Sequence, residues 1–330
     1  MRVAIVTSQR VVNSVYRALP LLELRRDGFD VQLDAEGEAM AAGRLRGFDL
    51  VHVFRYHERE TRRAIRALRE AGAAIVWDND DDLSSPNKLR SDQIHTQLVE
   101  MLQLAHVVTT TSPVLAQQYR AWGAAETRVV ENYLPDYYSA ERPPRGEGVV
   151  IGWTAAGEHA YDLRALGIRQ ALQRLLDAHP EVRVASAGLQ LGLARERYAY
   201  TEVVQYQELA RYVGGFDVGI APIADIPFNR AKSNVKLKEY AAMGVPWLAS
   251  PIGPYEGLGE KQGGRLVPDD RWHDELERLI RDERARRKLA KRGVKWGDGQ
   301  RLRRNMDGWR TALERAAELA GAGRSAPAAR

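Results

Sequence analysis

Short apolar runs alternate with longer amphipathic segments along most of the chain, a rhythm that predicts parallel β-strands joined by helices. Strands are expected at residues 3–6, 31–33, 50–54 and 74–77. Each run ends in polar residues: Thr7-Ser8-Gln9 with Asn13-Ser14, then Arg55-Tyr56-His57, then Asp78-Asn79-Asp80-Asp81-Asp82. In doubly wound sheets ligands bind outside the carboxyl ends of the strands, so these tips are candidates by position. Val15, Tyr16, Leu19 and Leu22 follow a helical spacing that Pro20 interrupts, and a helix is expected over 61–71.

The pattern continues with helices at 93–104 and 113–122 and strands at 107–110 and 129–130. Pro143-Pro144 and Gly146 sit in the sharpest break in composition, 135–148, which predicts a first domain of 1–142 and a second of 143–298. The rhythm then restarts with strands at 149–153, 182–185, 203–204, 218–221, 245–249 and 265–267 and helices at 163–178 and 208–213; residues 189–200 carry no clear pattern. Two charged helices are expected across 270–295, a last helix across 299–320 with Trp309 and Trp296 packing it, and a disordered tail over 321–330. This is an α/β chain of two Rossmann-like domains.

The most informative stretch is NRAKSNVKLKEYAAMGVPWLAS, residues 229–250. Lys232-Ser233-Asn234 can open a helix with backbone N–H groups, two nearby ammonium groups and a polar cap, the usual means of holding a phosphate. Gly244 and Pro246 end that helix before a buried strand. Glu239 follows Lys236 by three residues and Lys232 by seven, a spacing that puts all three on one face. The same spacing also suits a surface helix with ion pairs.

Composition narrows this picture. At 330 residues, 44% hydrophobic and 28% charged, the chain suits a globular protein of two domains. It has no cysteine, which excludes disulfides and thiolate metal sites and suits a cytoplasmic setting. No apolar stretch is long enough for a signal peptide or a membrane span, so any membrane contact would be peripheral, at the inner face. The net charge of +5 is concentrated: residues 281–304 carry eleven Lys/Arg against three acids. Such a strip is a solvated helix face or a surface for nucleic acid or anionic lipid.

Four stretches together resemble a known family: PIADIPFNRAKSNVKLKEYAAMGVPWLAS (222–250), VWDNDDDL (76–83), IGWTAAGEHAYDL (151–163) and TTTSPVLAQQY (109–119). They are similar to the GT-B glycosyltransferases called glycosyl transferases group 1, the retaining family-four type, in the branch associated with bacterial polysaccharide biosynthesis. The resemblance implies two Rossmann-like domains facing across a cleft, with a nucleotide sugar on the C-terminal domain, the acceptor on the N-terminal one and a last helix crossing back. It implies transfer of a hexose, with retention and without a bound metal or other cofactor, from a nucleoside diphosphate sugar to an acceptor hydroxyl of a glycan, a lipid-linked sugar or another molecule. By resemblance Glu239 matches the acid that holds the donor ribose in the EAMAxGxPV-like pattern, here EYAAMGVPW. Lys232, Ser233 and Lys236 would contact the diphosphate, and the Gly152-Trp153-Thr154 turn would approach it; Asn229 and Asn234 are counted with the donor-binding residues. Many members carry an acid eight residues before that glutamate; here the position is Ala231, with Asp225 or Asn229 as substitutes.

Other residues have two readings. Asp80 and Asp81, with Asp82, can orient or deprotonate an acceptor hydroxyl or hold a cation; they also suit an acidic loop in which Asp82 or Ser84-Ser85 caps a helix. Arg17 and Arg55 can bind an acceptor phosphate or pair at the surface. His159 and Asp162 follow the strand at 149–153, so His159 can face the sugar or sit in a loop. His52 reads as a core histidine. Two rival functions remain: a nucleotide-sugar epimerase of the same fold, which needs no acceptor, and a non-enzymatic binder of nucleic acid or an anionic surface through residues 281–304.

Overall fold

A computed structural model describes residues 1–325 apart from 9–12, 84–91, 140–141 and 145. The expected roles of Gln9 and of Ser84-Ser85 therefore lie outside the described residues, as does the end of the tail at 326–330. The chain divides into two compact units: residues 1–132, 231–233 and 305–330 form the first, and residues 133–230 and 234–304 the second. The break thus comes at 132–133 rather than at 142–143. Within the second unit Leu134 pairs with Arg301, and the Arg142 guanidinium donates to the carbonyls of Gly214, Phe216 and Gly244.

The first unit is a six-stranded parallel sheet of β1 (Arg2–Thr7), β2 (Asp30–Ala35), β3 (Leu50–Phe54), β4 (Ala74–Asn79), β5 (Val107–Thr110) and β6 (Thr127–Val129), in the order β2-β1-β3-β4-β5-β6. β3 and β4 are buried along their whole length, which is why they read as largely apolar runs, broken by His52 and ended by Asp78-Asn79. Its helices are α1 (Ser14–Arg17), α2 (Glu38–Ala41), α3 (Arg59–Glu70), α4 (Asp92–Leu104) and α5 (Pro113–Ala121). α1 stops after one turn and continues as a 3-10 segment, Leu19–Asp27, with Pro20 in its first turn. α5 opens as its sequence predicts, with Pro113 first and the Ser112 hydroxyl accepting from the Leu115 amide.

The second unit is another parallel sheet: β7 (Val149–Thr154), β8 (Val182–Ala187), β9 (Tyr198–Thr201), β10 (Val218–Ala221), β11 (Trp247–Ala249) and β12 (Gly264–Leu266), in the order β12-β11-β10-β7-β8-β9. The unpatterned segment at 189–200 holds the edge strand β9, whereas the strand expected at 203–204 is absent: Val203 is 66% exposed. The helix expected across 163–178 is two, α6 (Ala160–Ala165) and α7 (Ile168–Ala178), parted by Gly167 in the left-handed region at φ 61°. α8 (Tyr206–Gly214), α9 (Pro227–Arg230), α10 (Val235–Ala242), α11 (Trp272–Arg281) and α12 (Glu283–Gly299) complete it.

The last helix, α13 (Asp307–Ser325), belongs to the first unit. It begins later than expected and runs into the segment expected to be disordered. Trp309 is fully buried there, edge-on to His52 with ring centres 5.6 Å apart. No helix among the described residues is long and apolar enough to cross a membrane.

Candidate functional site

The strand order of the second sheet reverses between β7 and β10, and such a switch point leaves a crevice beyond the strand ends. α10 is keyed to both ends. From its first turn Lys236 donates through Nζ to the carbonyl of Thr154 and, at 3.3 Å, to the Thr154 hydroxyl, at the end of β7. The Tyr240 hydroxyl donates to the Ile220 carbonyl on β10 at 2.9 Å and accepts from the Thr154 amide at 3.5 Å. Burial raises the Tyr240 pKa, and nearby Glu239 adds to it. Glu239 itself is 5% exposed, one turn beyond Lys236. Burial and then the Glu239 charge raise the pKa of Tyr137 as well. A carboxylate buried this deeply needs hydrogen-bond donors or cations around it.

Asp162 organises the segments that follow β7 and β10. One carboxylate oxygen lies 2.7 Å from His159 Nδ1, and the other accepts from the Ala224 amide and from Asn229 Nδ2, both at 2.8 Å. Asn229 Nδ2 also reaches the Ala224 carbonyl at 2.9 Å. His159 and Asn229 are thus both buried and held by one acid; Asn229 ties the segment after β10 to α6. Asp225, the other expected substitute acid, is exposed and paired with Arg230 at 2.6 Å.

Several expectations change with these positions. α10 starts at Val235 with Asn234 at its cap position, so Lys232 and Ser233 precede the helix and only Lys236 and Glu239 share its face. Residues 231–233 group with the first unit, where the Ser112 hydroxyl donates to the Ala231 carbonyl and Asn132 Nδ2 donates to the Ser233 hydroxyl. Ala231 is 1% exposed in an apolar cluster, so an acid there would be buried among hydrocarbon. Gly152 lies inside β7, and a Cβ there would come within 2.1 Å of the Phe216 ring, which makes it a packing glycine. Trp153 is buried beside His159, with ring centres 5.9 Å apart. The sequence reading missed Lys238, which is fully buried with its ammonium 4.5 Å above the Tyr133 ring. Its place on the inner side of α10 was the only sign available.

In the first unit the order reverses around β1, between β2 and β3. Arg17 is not at a surface there. It is fully buried and forks onto Asp78 at 2.5 and 3.0 Å, donates to the Val130 carbonyl and lies 4.6 Å over the Trp309 ring. The guanidinium is committed to the core, because a buried arginine needs its donors satisfied. His52 is equally buried, 4.0 Å from Asp78, and neither ring nitrogen has a hydrogen-bond partner among the described residues. Burial lowers its pKa to about 4.

Arg55 instead stands at the tip of β3, with its backbone in the left-handed region at φ 65°. Its guanidinium holds one oxygen of Asp80 at 2.6 and 2.9 Å, and Asn13 donates to the other at 2.6 Å. Asp81 lies 3.5 Å from the same guanidinium, and Gln118 donates to Asp82 at 3.4 Å. Beside these tips a cavity of about 560 Å³ opens over Met40, Tyr56 and Leu68, with Glu36 and Glu58 at its rim.

Most arginines of the basic strip have partners. Arg281, Arg287, Arg292, Arg303 and Arg304 pair with Glu277, Glu283, Glu260, Asp136 and Asp298, and Arg286 is buried against the carbonyls of Leu279 and Ile280.

No family model and no curated protein matches the chain. Solved structures do. A sucrose-phosphate synthase from Thermosynechococcus elongatus is 14% identical, with a TM-score of 0.67 over 98% of both chains. HepE from Anabaena, in complex with UDP-glucose, is 14% identical at a TM-score of 0.64 over 98% of this chain and 100% of its own. A protein from Listeria monocytogenes, assigned as a UDP-N-acetylglucosamine 2-epimerase, is 12% identical at 0.62 over 95% and 96%. With its two parallel six-stranded sheets and their flanking helices, this chain has the α/β fold of those proteins, two Rossmann-like domains of the GT-B type.

Proposed function

We propose that the chain is a glycosyltransferase that moves a sugar from a nucleoside diphosphate sugar to an acceptor hydroxyl, with the donor on the second unit and the acceptor on the first. The observation that carries this reading is α10 at the β7/β10 switch point, with Lys236 joined to the end of β7 and Glu239 buried one turn on. In this reading Glu239 accepts from the ribose hydroxyls. Lys236, aided by Lys232, Ser233 and the amides at the start of α10, meets the negative charge that builds on the leaving diphosphate; fixed cations in that place lower the barrier without a bound metal. Asp162 holds His159 toward the sugar. Asp80, set by Arg55 and Asn13, orients the acceptor hydroxyl, with Asp81 beside it. The cavity over Met40 and Tyr56 gives the acceptor a partly apolar recess. Transfer with retention completes the proposal.

Calorimetry with UDP, GDP and dTDP sugars tests it. One nucleotide sugar should bind, raising stability by about 2.7 kcal/mol at a hundredfold excess over its Kd. Glu239→Ala should weaken that binding at least about tenfold, roughly 1.4 kcal/mol. If none binds, or if Glu239→Ala binds as wild type does, the reading fails. The Listeria likeness supports a second reading, epimerisation of the donor itself. Conversion of the bound nucleotide sugar to an isomer without any acceptor would replace transfer with that activity.

A further inference from the structure

The eleven cations of the basic strip are not equivalent. Six are neutralised by carboxylates or buried against carbonyls, as described above, and Arg301 is half-buried near Asp298 and Asp136. Arg284, Lys288, Lys291 and Lys295 are exposed and have no carboxylate partner among the described residues. Their spacing is i, i+4, i+7 and i+11 on α12, which gathers them within roughly 60° of arc and about 16 Å of length. The buried residues of the helix, Arg286, Leu289, Gly293 and Gly297, lie on the opposite side. The stripe therefore points straight out from the second unit. At one end Lys295 and Lys261 join the half-buried Trp296 and the Glu260–Arg292 ion pair around an open hollow of about 670 Å³, where the pair cancels itself and the two lysines remain.

We propose that this face of α12 docks on an anionic lipid surface. The four charges stand on the exposed side of a single helix, where a plane of head groups can meet all of them at once. On its flanks Arg287 and Arg292 are neutralised by Glu283 and Glu260, so the excess charge of the helix gathers along this line. The hollow has the size and charge for one phosphate-bearing head group, and the Trp296 indole beside it suits the water–lipid boundary. Single-stranded nucleic acid makes a poorer match, because none of the four cations has an aromatic neighbour within the stripe on which a base could stack; a duplex, held through its phosphates, is the rival that the test below separates. The proposal is independent of sugar transfer, since nucleotide-sugar binding is measured without vesicles.

The test is flotation of the full chain with phosphatidylcholine vesicles, neutral or with about 30% phosphatidylglycerol, at about 0.1 M salt. Wild type should float with the anionic vesicles alone. The variant Arg284→Glu/Lys288→Glu/Lys291→Glu/Lys295→Glu should lose at least about tenfold in partitioning. A control of equal net charge, Arg44→Glu/Arg59→Glu/Arg63→Glu/Arg66→Glu, changes exposed residues of the first unit and should keep it. Replacing the same four stripe residues by Gln gives a milder variant, and the melting temperature of each shows that it is folded. The proposal is overturned if wild type ignores anionic vesicles, if both charge-reversal variants lose binding equally, or if a DNA duplex competes the protein off the vesicles.

Discussion

Lys236 and Thr154 are joined across 82 residues of sequence, with the ammonium on the first turn of α10 bonded to the carbonyl and hydroxyl at the end of β7. The contact fixes a positive charge at the switch point before any ligand arrives. Lys236→Met should therefore lower kcat by roughly a hundredfold or more while weakening donor binding far less, the pattern of a group that acts mainly as charge develops. Steady-state rates and calorimetry on one preparation separate the two effects. An equal loss in both would assign the lysine to ground-state binding.

Asp162→Asn keeps the size of the side chain but removes the charge shared by His159, Asn229 and the Ala224 amide. Stability should fall by about 1–3 kcal/mol, the usual consequence of leaving buried donors poorly matched. Donor affinity should fall as well, because the segment after β10 loses its tie to α6. Urea denaturation and nucleotide titration read the two losses; unchanged affinity in a destabilised protein would make Asp162 purely structural.

The Arg17–Asp78 pair makes a sharper demand on stability. Arg17→Met leaves Asp78 charged and fully buried, which should cost about 3–5 kcal/mol. The double variant Arg17→Met/Asp78→Leu should recover most of that loss, since an apolar pair of similar volume often replaces a buried ion pair without penalty. Denaturation midpoints of the two variants and wild type give the coupling directly. Failure of the double variant to recover would show that Thr109, which donates to Asp78 at 2.7 Å, and the bond to Val130 depend on these charges.

Acid should weaken the fold before its carboxylates titrate. Burial, with the Arg17 charge adding to it, outweighs the attraction of Asp78 and holds His52 near 4 in the fold, against 6.5 when exposed. Between those values the unfolded chain binds the extra proton, so stability is complete above about 6.5 and is lost as pH falls toward about 4. The full loss is on the order of 3 kcal/mol, of which about 2 comes between pH 7 and 5. His52→Gln should flatten that part of the curve in urea titrations. If its slope from pH 7 to 5 equals that of wild type, His52 is not the group responsible.

Much of this fold is legible in the sequence because parallel strands buried on both faces leave largely apolar runs, as at Leu50–Phe54, Ala74–Trp77 and Val218–Ala221. β9 was missed for the opposite reason: an edge strand with Tyr198 and Thr201 only partly covered carries little hydrophobic signal. Within the site, spacing identified Lys236 and Glu239 because both lie on one helix. It could not tell that Lys232 precedes that helix, since three polar residues in a row offer several possible caps. Arg17 shows the deeper limit. Its partner Asp78 is 61 residues away, and a charge looks like a surface residue until the opposite charge that buries it is known.

Gly297 and Gly293 let α12 approach α10 almost backbone to backbone, so that a Cβ at Gly297 would come within 2.6 Å of Ala242 and one at Gly293 within 3.3 Å of Ala241. At these two positions backbone meets backbone. The two helices are therefore expected to move as one body, so that a load on the outer face of α12 would reach α10 and, with it, Lys236 and Glu239.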